Sequence, residues 1–99
     1  MAGLSWYQIM KGFIGLKKMF AEGDMIRHVY KNSVRAGTIN KEGYLVSDEV
    51  SFTSLSTFAT YHKTTVIGRP IVTNGWLECE WRKSDTSWKP TFIKRESLN

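Results

Sequence analysis

The residues of this chain that best suit chemistry are cations close to an aromatic ring. Lys63 and Arg69 lie in a polar stretch, and Arg82 and Lys83 begin a second one that ends at Trp88. Lysine and arginine neutralise phosphates, and an indole ring stacks on a base or enters a groove. We therefore predict that these five residues contact nucleic acid. The alternative is that the charges are ordinary solvated surface and that Trp88 packs on a sheet.

Groups suited to catalysis or metal binding are sparse. The chain has two histidines, one cysteine and nine aspartates and glutamates, and no pair has the spacing of a nucleophile with its base. His28, His62 and Cys79 also lack the paired spacing of a zinc site. We expect no catalysis, no metal and no cofactor. Glu78 and Glu80 lie two residues apart on a predicted strand, which favours two solvated carboxylates on one face.

Composition indicates one small intracellular domain with a basic surface. The chain has 99 residues, 41% of them apolar, and a formal net charge of +5, which favours anionic partners. Its single cysteine, Cys79, excludes an internal disulfide, and we expect a buried, inert thiol. The absence of a long apolar run predicts no membrane association. The expected location is nuclear in a eukaryote, and cytoplasmic or nucleoid-associated otherwise.

The elements that position these residues predict an α+β fold, a small and mostly antiparallel sheet of about five or six short strands with two helices packed on it. A single domain, 1–99, is expected to contain a helix over 5–21, a strand meander over 24–52, a second short helix over 54–63, a basic loop and turn over 64–76, a hairpin over 77–93 and a frayed tail over 94–99. Pro90 confines the last strand to a sheet edge.

The second helix has the clearest pattern. Leu55, Phe58, Ala59 and His62 recur at the spacing of one helix face, which predicts that this face docks on the sheet. Thr53 or Ser54 is expected to cap its first turn.

A tight turn is predicted at Asn74 and Gly75, because Asn-Gly supplies the positive φ angles that such a turn needs. Trp76 then begins a run in which Leu77, Cys79 and Trp81 alternate with polar residues, as in a half-buried strand.

Two segments resemble the RAMA domain, a family associated with restriction enzymes and adenine methylases and found in chromatin proteins. The segment from Phe52 to Ala59 is similar to the family's aromatic, serine, proline or leucine, serine motif, and Asn74-Gly75-Trp76 resembles its Asn-Gly-Trp signature. Leu55 stands where proline is frequent. The residues that carry this structural signature are Phe52, Ser54, Leu55, Phe58, Asn74, Gly75 and Trp76. The resemblance implies a non-catalytic module that recognises DNA, methylated DNA included.

Three functions therefore remain open. The leading hypothesis is a DNA-binding or DNA-modification-reading module. The alternative is a protein-interaction or self-association module that uses exposed aromatic residues, with Glu78 and Glu80 as complementary charge. A third is a small protein that coats nucleic acid without sequence preference.

Overall fold

A computed structural model of the chain describes residues 16–69, 71 and 73–93, which form an α+β fold with a six-stranded antiparallel sheet. Its strands are β1 (Met25–Tyr30), β2 (Ser33–Ile39), β3 (Leu45–Ser47), β4 (Val50–Phe52), β5 (Cys79–Arg82) and β6 (Lys89–Pro90), and its α-helices are α1 (Leu55–Ile67) and α2 (Gly75–Glu78). The strand order is β4-β3-β2-β1-β5-β6. Pro90 lies in an edge strand, as predicted.

The N-terminal part of the description begins inside the first predicted helix. Residues 5–15 of that helix, and the tail over 94–99, lie outside the described residues. From residue 16 onward the prediction is wrong, because only a single 3₁₀ turn is present, Leu16–Lys18. The carboxylate of Asp24 accepts the backbone N–H of Ala21 at 2.9 Å, which favours a turn there over a continued helix. Leu16 and Phe20 are buried.

The sheet has two different faces. Along β1, Ile26 and His28 are fully buried, whereas Arg27 is half-buried and Val29 is exposed. This alternation places Ile26 and His28 on the face that carries the core, which we call the inner face, and Arg27 and Val29 on the outer face. The core cluster consists of Leu16, Met19, Phe20, Ile26, Ile39, Leu45, Phe52, Leu55, Phe58, Ala59 and Cys79.

Helix α1 confirms the predicted docking face and extends beyond its predicted end. The four predicted contact residues, from Leu55 to His62, are at most 1% exposed. Ser54 is the N-cap, and its side chain accepts the backbone N–H of Thr57 at 3.1 Å. The helix ends at Ile67 instead of 63, with Gly68 in the left-handed conformation at φ 82°. Within the described residues, no helix has both the length and the apolar character needed to cross a membrane.

The predicted tight turn with positive φ angles at Asn74-Gly75 is wrong. Asn74 has φ −93° and is the N-cap of α2, its side chain accepting the backbone N–H of Trp76 at 3.1 Å. Gly75 is required by packing: a Cβ there would overlap the backbone carbonyl of Leu55 and lie 2.5 Å from the Ser56 nitrogen. The strand predicted to start at Trp76 begins only at Cys79, because α2 occupies the intervening residues.

Candidate nucleic-acid interface

The outer face of the sheet carries a cluster of two arginines and one tryptophan. Arg27 in β1 pairs with Glu80 in β5, and Met25 pairs with Arg82, so both arginines lie on the same face. Their guanidinium carbons lie 4.4 Å (Arg27) and 4.6 Å (Arg82) from the centroid of the Trp88 ring. We call Arg27, Arg82 and Trp88 the outer cluster. Its contacts are cation–π interactions, which hold both guanidinium groups in place.

The outer cluster retains positive charge. Arg27 Nε donates to Glu80 Oε1 at 2.7 Å, so one arginine is compensated by a half-buried carboxylate. Arg82 Nε is buried and has no hydrogen-bond partner among the described residues. Lys89 begins the adjacent strand β6 and is exposed, but it pairs with Trp81 and therefore lies on the inner side of the sheet. The outer cluster keeps the uncompensated charge of Arg82, which favours an anionic ligand.

Apolar side chains continue the outer face away from the cluster. Val29 in β1 and Val34 in β2 face each other across the two strands and are 48% and 59% exposed. No described residue therefore covers this part of the sheet. The exposed valine pair and the arginines of the outer cluster together form a surface that is partly apolar and partly positively charged.

The five predicted contact residues do not form one group. Arg82 and Trp88 meet in the outer cluster, and Lys83 follows Arg82, with its Nζ 3.0 Å from the buried carboxylate of Asp24. Arg69 is exposed just beyond the C-cap of α1. Lys63 lies on α1 on the inner side and is only 8% exposed. It was predicted at the end of the second helix, but α1 continues past it and its side chain is buried.

Lys63 belongs instead to a chain of hydrogen-bonded polar side chains, in which Lys63 and both histidines are buried. Ser33 Oγ lies 2.8 Å from His62 Nε2, and the two histidines approach at 2.8 Å between their Nδ1 atoms. His28 Nε2 lies 3.0 Å from Glu78 Oε1, and Lys63 Nζ donates to Glu78 Oε2 at 3.1 Å. We call these five residues the inner polar network. It connects β1, β2, α1 and α2.

One direction of hydrogen bonding satisfies the whole network. The Glu78 carboxylate accepts from His28 Nε2–H, His28 Nδ1 accepts from His62 Nδ1–H, and His62 Nε2 accepts the Ser33 hydroxyl. These tautomers follow from the donors and acceptors available and leave both rings neutral. Burial is the main cause of a lowered pKa of His62, and electrostatic interactions with His28 and Arg35 lower it further.

Glu78 stays ionised in this network. Burial alone would raise its pKa, but hydrogen bonds from His28 and Lys63 and the charge of Lys63 give a net lowering. Among the described residues, no group of three or more His, Cys, Asp or Glu is arranged to hold a metal ion.

The prediction that Glu78 and Glu80 share a face is wrong. Glu78 ends α2 and bonds to His28 and Lys63 in the inner polar network, whereas Glu80 lies in β5 and bonds to Arg27 on the outer face. The strand alternation that predicted one face does not apply to a residue in a helix. Cys79 between them is 1% exposed, as predicted, and burial, with the charges of both glutamates, raises the pKa of its thiol to about 12.

Neither a protein-family model nor a curated protein matches this chain. Its function is therefore inferred from its own residues and from the resemblance described above.

Sequence reasoning missed two parts of the site. Arg27 was not among the predicted contact residues, although its alternation with the buried residues Ile26 and His28 could have placed it on the outer face. The contact between His28 and His62 was harder to predict. Its only indication in the sequence was that His62 lies on the apolar face of the second helix. Neither pattern predicts which distant strand or helix packs against these residues.

Proposed function

We propose that this protein is a DNA-binding module whose outer sheet face contacts the duplex through Arg27 and Arg82. The observation that carries the proposal is the pair of guanidinium groups over the Trp88 ring, at 4.4 and 4.6 Å. Arginine stacked on an aromatic ring keeps its N–H donors available for phosphate or for base edges. Lys83 follows Arg82 along the chain, but its ammonium group is bound to the Asp24 carboxylate, so the uncompensated charge of the cluster is that of Arg82.

Preorganisation supports this use of the cluster. A free arginine side chain loses conformational freedom when it binds, which costs about 0.5–1.5 kcal/mol for each immobilised side chain. Contact with Trp88, and for Arg27 the bond to Glu80, already restricts these two side chains. Part of the conformational entropy of these two side chains is therefore already lost in the free protein, and binding DNA costs less.

Charge and resemblance support the same proposal. The chain carries a formal charge of +5, and the segments around Phe52 and Asn74 resemble the RAMA domain. That resemblance extends the proposal to methylated DNA in chromatin or in restriction-modification systems, and therefore to an intracellular location. Lys63 is left out of the proposed contacts because its ammonium group is bound to Glu78. Arg69 stays a predicted contact, since it is exposed.

The experiment is fluorescence anisotropy with labelled duplexes, plain and adenine-methylated. The double variant Arg27→Ala/Arg82→Ala should weaken binding at least about tenfold on both duplexes, as expected when two phosphate contacts are lost. The matched control is Lys31→Ala/Lys41→Ala, which removes the same charge from exposed turn residues. It should change the affinity by less than about threefold.

Two results would contradict the proposal. One is wild-type protein that does not bind either duplex at low salt. The other is a control variant that loses as much affinity as the arginine variant, since binding would then depend only on total charge. Circular dichroism must show both variants folded, because the arginines also pack on Trp88. Comparing Arg69→Ala with wild type tests that residue separately.

A second candidate function is self-association through the same face. The exposed pair Val29 and Val34 favours it, because β-branched side chains facing each other across strands pack well against a second sheet. Sedimentation velocity over a hundredfold concentration range tests it. The wild type should then form dimers that the variant Val29→Thr/Val34→Thr does not, and a wild-type monomer throughout excludes this function.

A further inference from the structure

The Ser33 hydroxyl and the His62 ring form a pair that the proposed DNA interface does not use. Ser33 Oγ lies 2.8 Å from His62 Nε2, within hydrogen-bond reach. Ser33 is the first residue of β2, is half-buried, and follows the exposed turn residues Lys31 and Asn32. His62 is only 1% exposed. The hydroxyl is thus close to the surface, while its partner ring is shielded from water.

A second group orients the His62 ring. His62 Nδ1 is 2.8 Å from His28 Nδ1, and His28 Nε2 is 3.0 Å from Glu78 Oε1. In a serine nucleophile with a histidine base, a third group bonded to the far ring nitrogen selects the tautomer and stabilises the imidazolium. His28 occupies that position here, and Glu78 supports it in turn.

The protonation state also suits a base. Burial lowers the pKa of His62, so its Nε2 carries a lone pair at neutral pH. The same hydrogen-bond direction that satisfies the inner polar network points the Ser33 proton at this lone pair. If His62 gains a proton, its Nδ1–H still donates to His28, and the Glu78 carboxylate lies one ring further along.

We propose that Ser33 is a nucleophile with His62 as its general base, and that this pair cleaves small acyl esters with good leaving groups. Ser33 Oγ attacks the ester carbonyl carbon while its proton moves to His62 Nε2, and the bond from that carbon to the leaving oxygen breaks. The leaving group takes the proton from Nε2. Water then attacks the acyl carbon, gives a proton to Nε2, and Ser33 Oγ leaves and recovers that proton.

Small esters are the substrate class because Ser33 lies beside a surface turn. The hydroxyl belongs to a residue that pairs directly with Tyr30 across a two-residue turn. Such a position admits small acyl groups and contributes little binding of a leaving group. Reactivity should therefore depend on the leaving group itself, with aryl acetates better than alkyl acetates.

A mass-spectrometric labelling experiment tests this on the intact wild-type chain. An alkyl fluorophosphonate should form one adduct, with an Oγ–P bond on Ser33 and loss of fluoride. Peptide mapping should place at least about ten times more label on Ser33 than on Ser51, an exposed strand serine that serves as the internal control. The labelling rate should rise with pH as His62 loses its proton.

Variants separate a catalytic pair from a structural one. Ser33→Ala should abolish the adduct and the protein-dependent hydrolysis of p-nitrophenyl acetate. Ser51→Ala, the control variant, should keep both. His28→Gln should shift the pH profile of labelling and leave Ser33 as the labelled residue, as expected of a positioning residue. Folded wild-type protein without an adduct on Ser33, or with equal label on Ser51, overturns the proposal. The wild-type result decides even if a variant does not fold.

Discussion

At the scale of single residues, Lys63 and Glu78 determine what the inner face can do. The Lys63 ammonium group is buried with one carboxylate partner, and that carboxylate also accepts from His28. A buried cation is tolerated only when it is paired, so Glu78 is required by two neighbours at once. The sequence presented Lys63 as one of several surface cations, because nothing local to α1 indicates which side chain reaches it.

Glu78→Gln should lower the free energy of unfolding by about 1–2 kcal/mol. The change leaves Lys63 without its charged partner, and the 38% exposure of the Glu78 side chain reduces the cost from that of a fully buried pair. Urea denaturation measures it. Glu80→Gln is the matched control: it removes the outer ion pair with Arg27, and it should cost less than about 1 kcal/mol. Equal losses would contradict the role given to Glu78.

Protein stability should fall as the pH decreases below about 6.5. The unfolded chain protonates His62 at its ordinary pKa of 6.5, whereas burial lowers that pKa in the folded state, so the unfolded state binds the proton more readily. The stabilisation is complete above pH 6.5 and is lost as the pH falls toward the folded pKa. The slope from one such group is at most about 1.4 kcal/mol per pH unit.

Urea denaturation at pH 7.5, 6.5 and 5.5 checks this. His62→Gln is the comparison, because glutamine keeps a donor and an acceptor but does not titrate. The wild type should lose stability between pH 6.5 and 5.5, and the variant should lose less. An identical pH dependence in the two proteins would show that His62 is not the titrating group.

At the scale of elements, the two segments with the strongest sequence patterns had different outcomes. The apolar spacing of Leu55, Phe58 and Ala59 predicted the buried face of α1, because a helix face depends only on neighbours along the chain. Asn74-Gly75 was predicted as a tight turn, yet Asn is also a good N-cap, and glycine also permits close packing. Local sequence does not distinguish these uses.

The second outcome identifies Gly75 as the residue that allows α2 to pack on α1. Gly75→Ala should lower the free energy of unfolding by at least about 3 kcal/mol, because the added Cβ would overlap the Leu55 backbone. Backbone atoms cannot rotate away from such an overlap as the end of a side chain can. Gly68→Ala should cost only about 1 kcal/mol: its φ is 82°, but no atom lies within 4 Å of the added Cβ. Thermal and urea denaturation compare the two. A smaller loss at Gly75 would argue against this packing.

At the scale of the whole molecule, the sheet separates two kinds of surface. Its inner face holds the core and the inner polar network, and its outer face holds the outer cluster and the exposed valines. Adjacent residues of β1 lie on opposite faces: His28 is on the inner face and Arg27 is on the outer face. A substitution on one face should therefore leave the chemistry of the other largely intact, provided that the sheet folds.

The α+β class and most strands could be predicted from turn residues and alternation, because both are local. The strand order could not, since β5 joins β1 across about 50 residues and that pairing depends on the complete core. The candidate site depends on this pairing, because it brings Arg27 beside Arg82. For the same reason Trp88 and Arg82 were predicted as contact residues without Arg27.

The central claim is that Arg27 and Arg82 on the outer face contact DNA phosphates. The most direct test is the salt dependence of duplex binding, plotted as the logarithm of the association constant against that of the salt concentration. Removing both arginines should reduce the steepness of this plot by about 2, about 1 for each lost phosphate contact. An unchanged slope in the folded double variant, with the wild type binding, would contradict the claim.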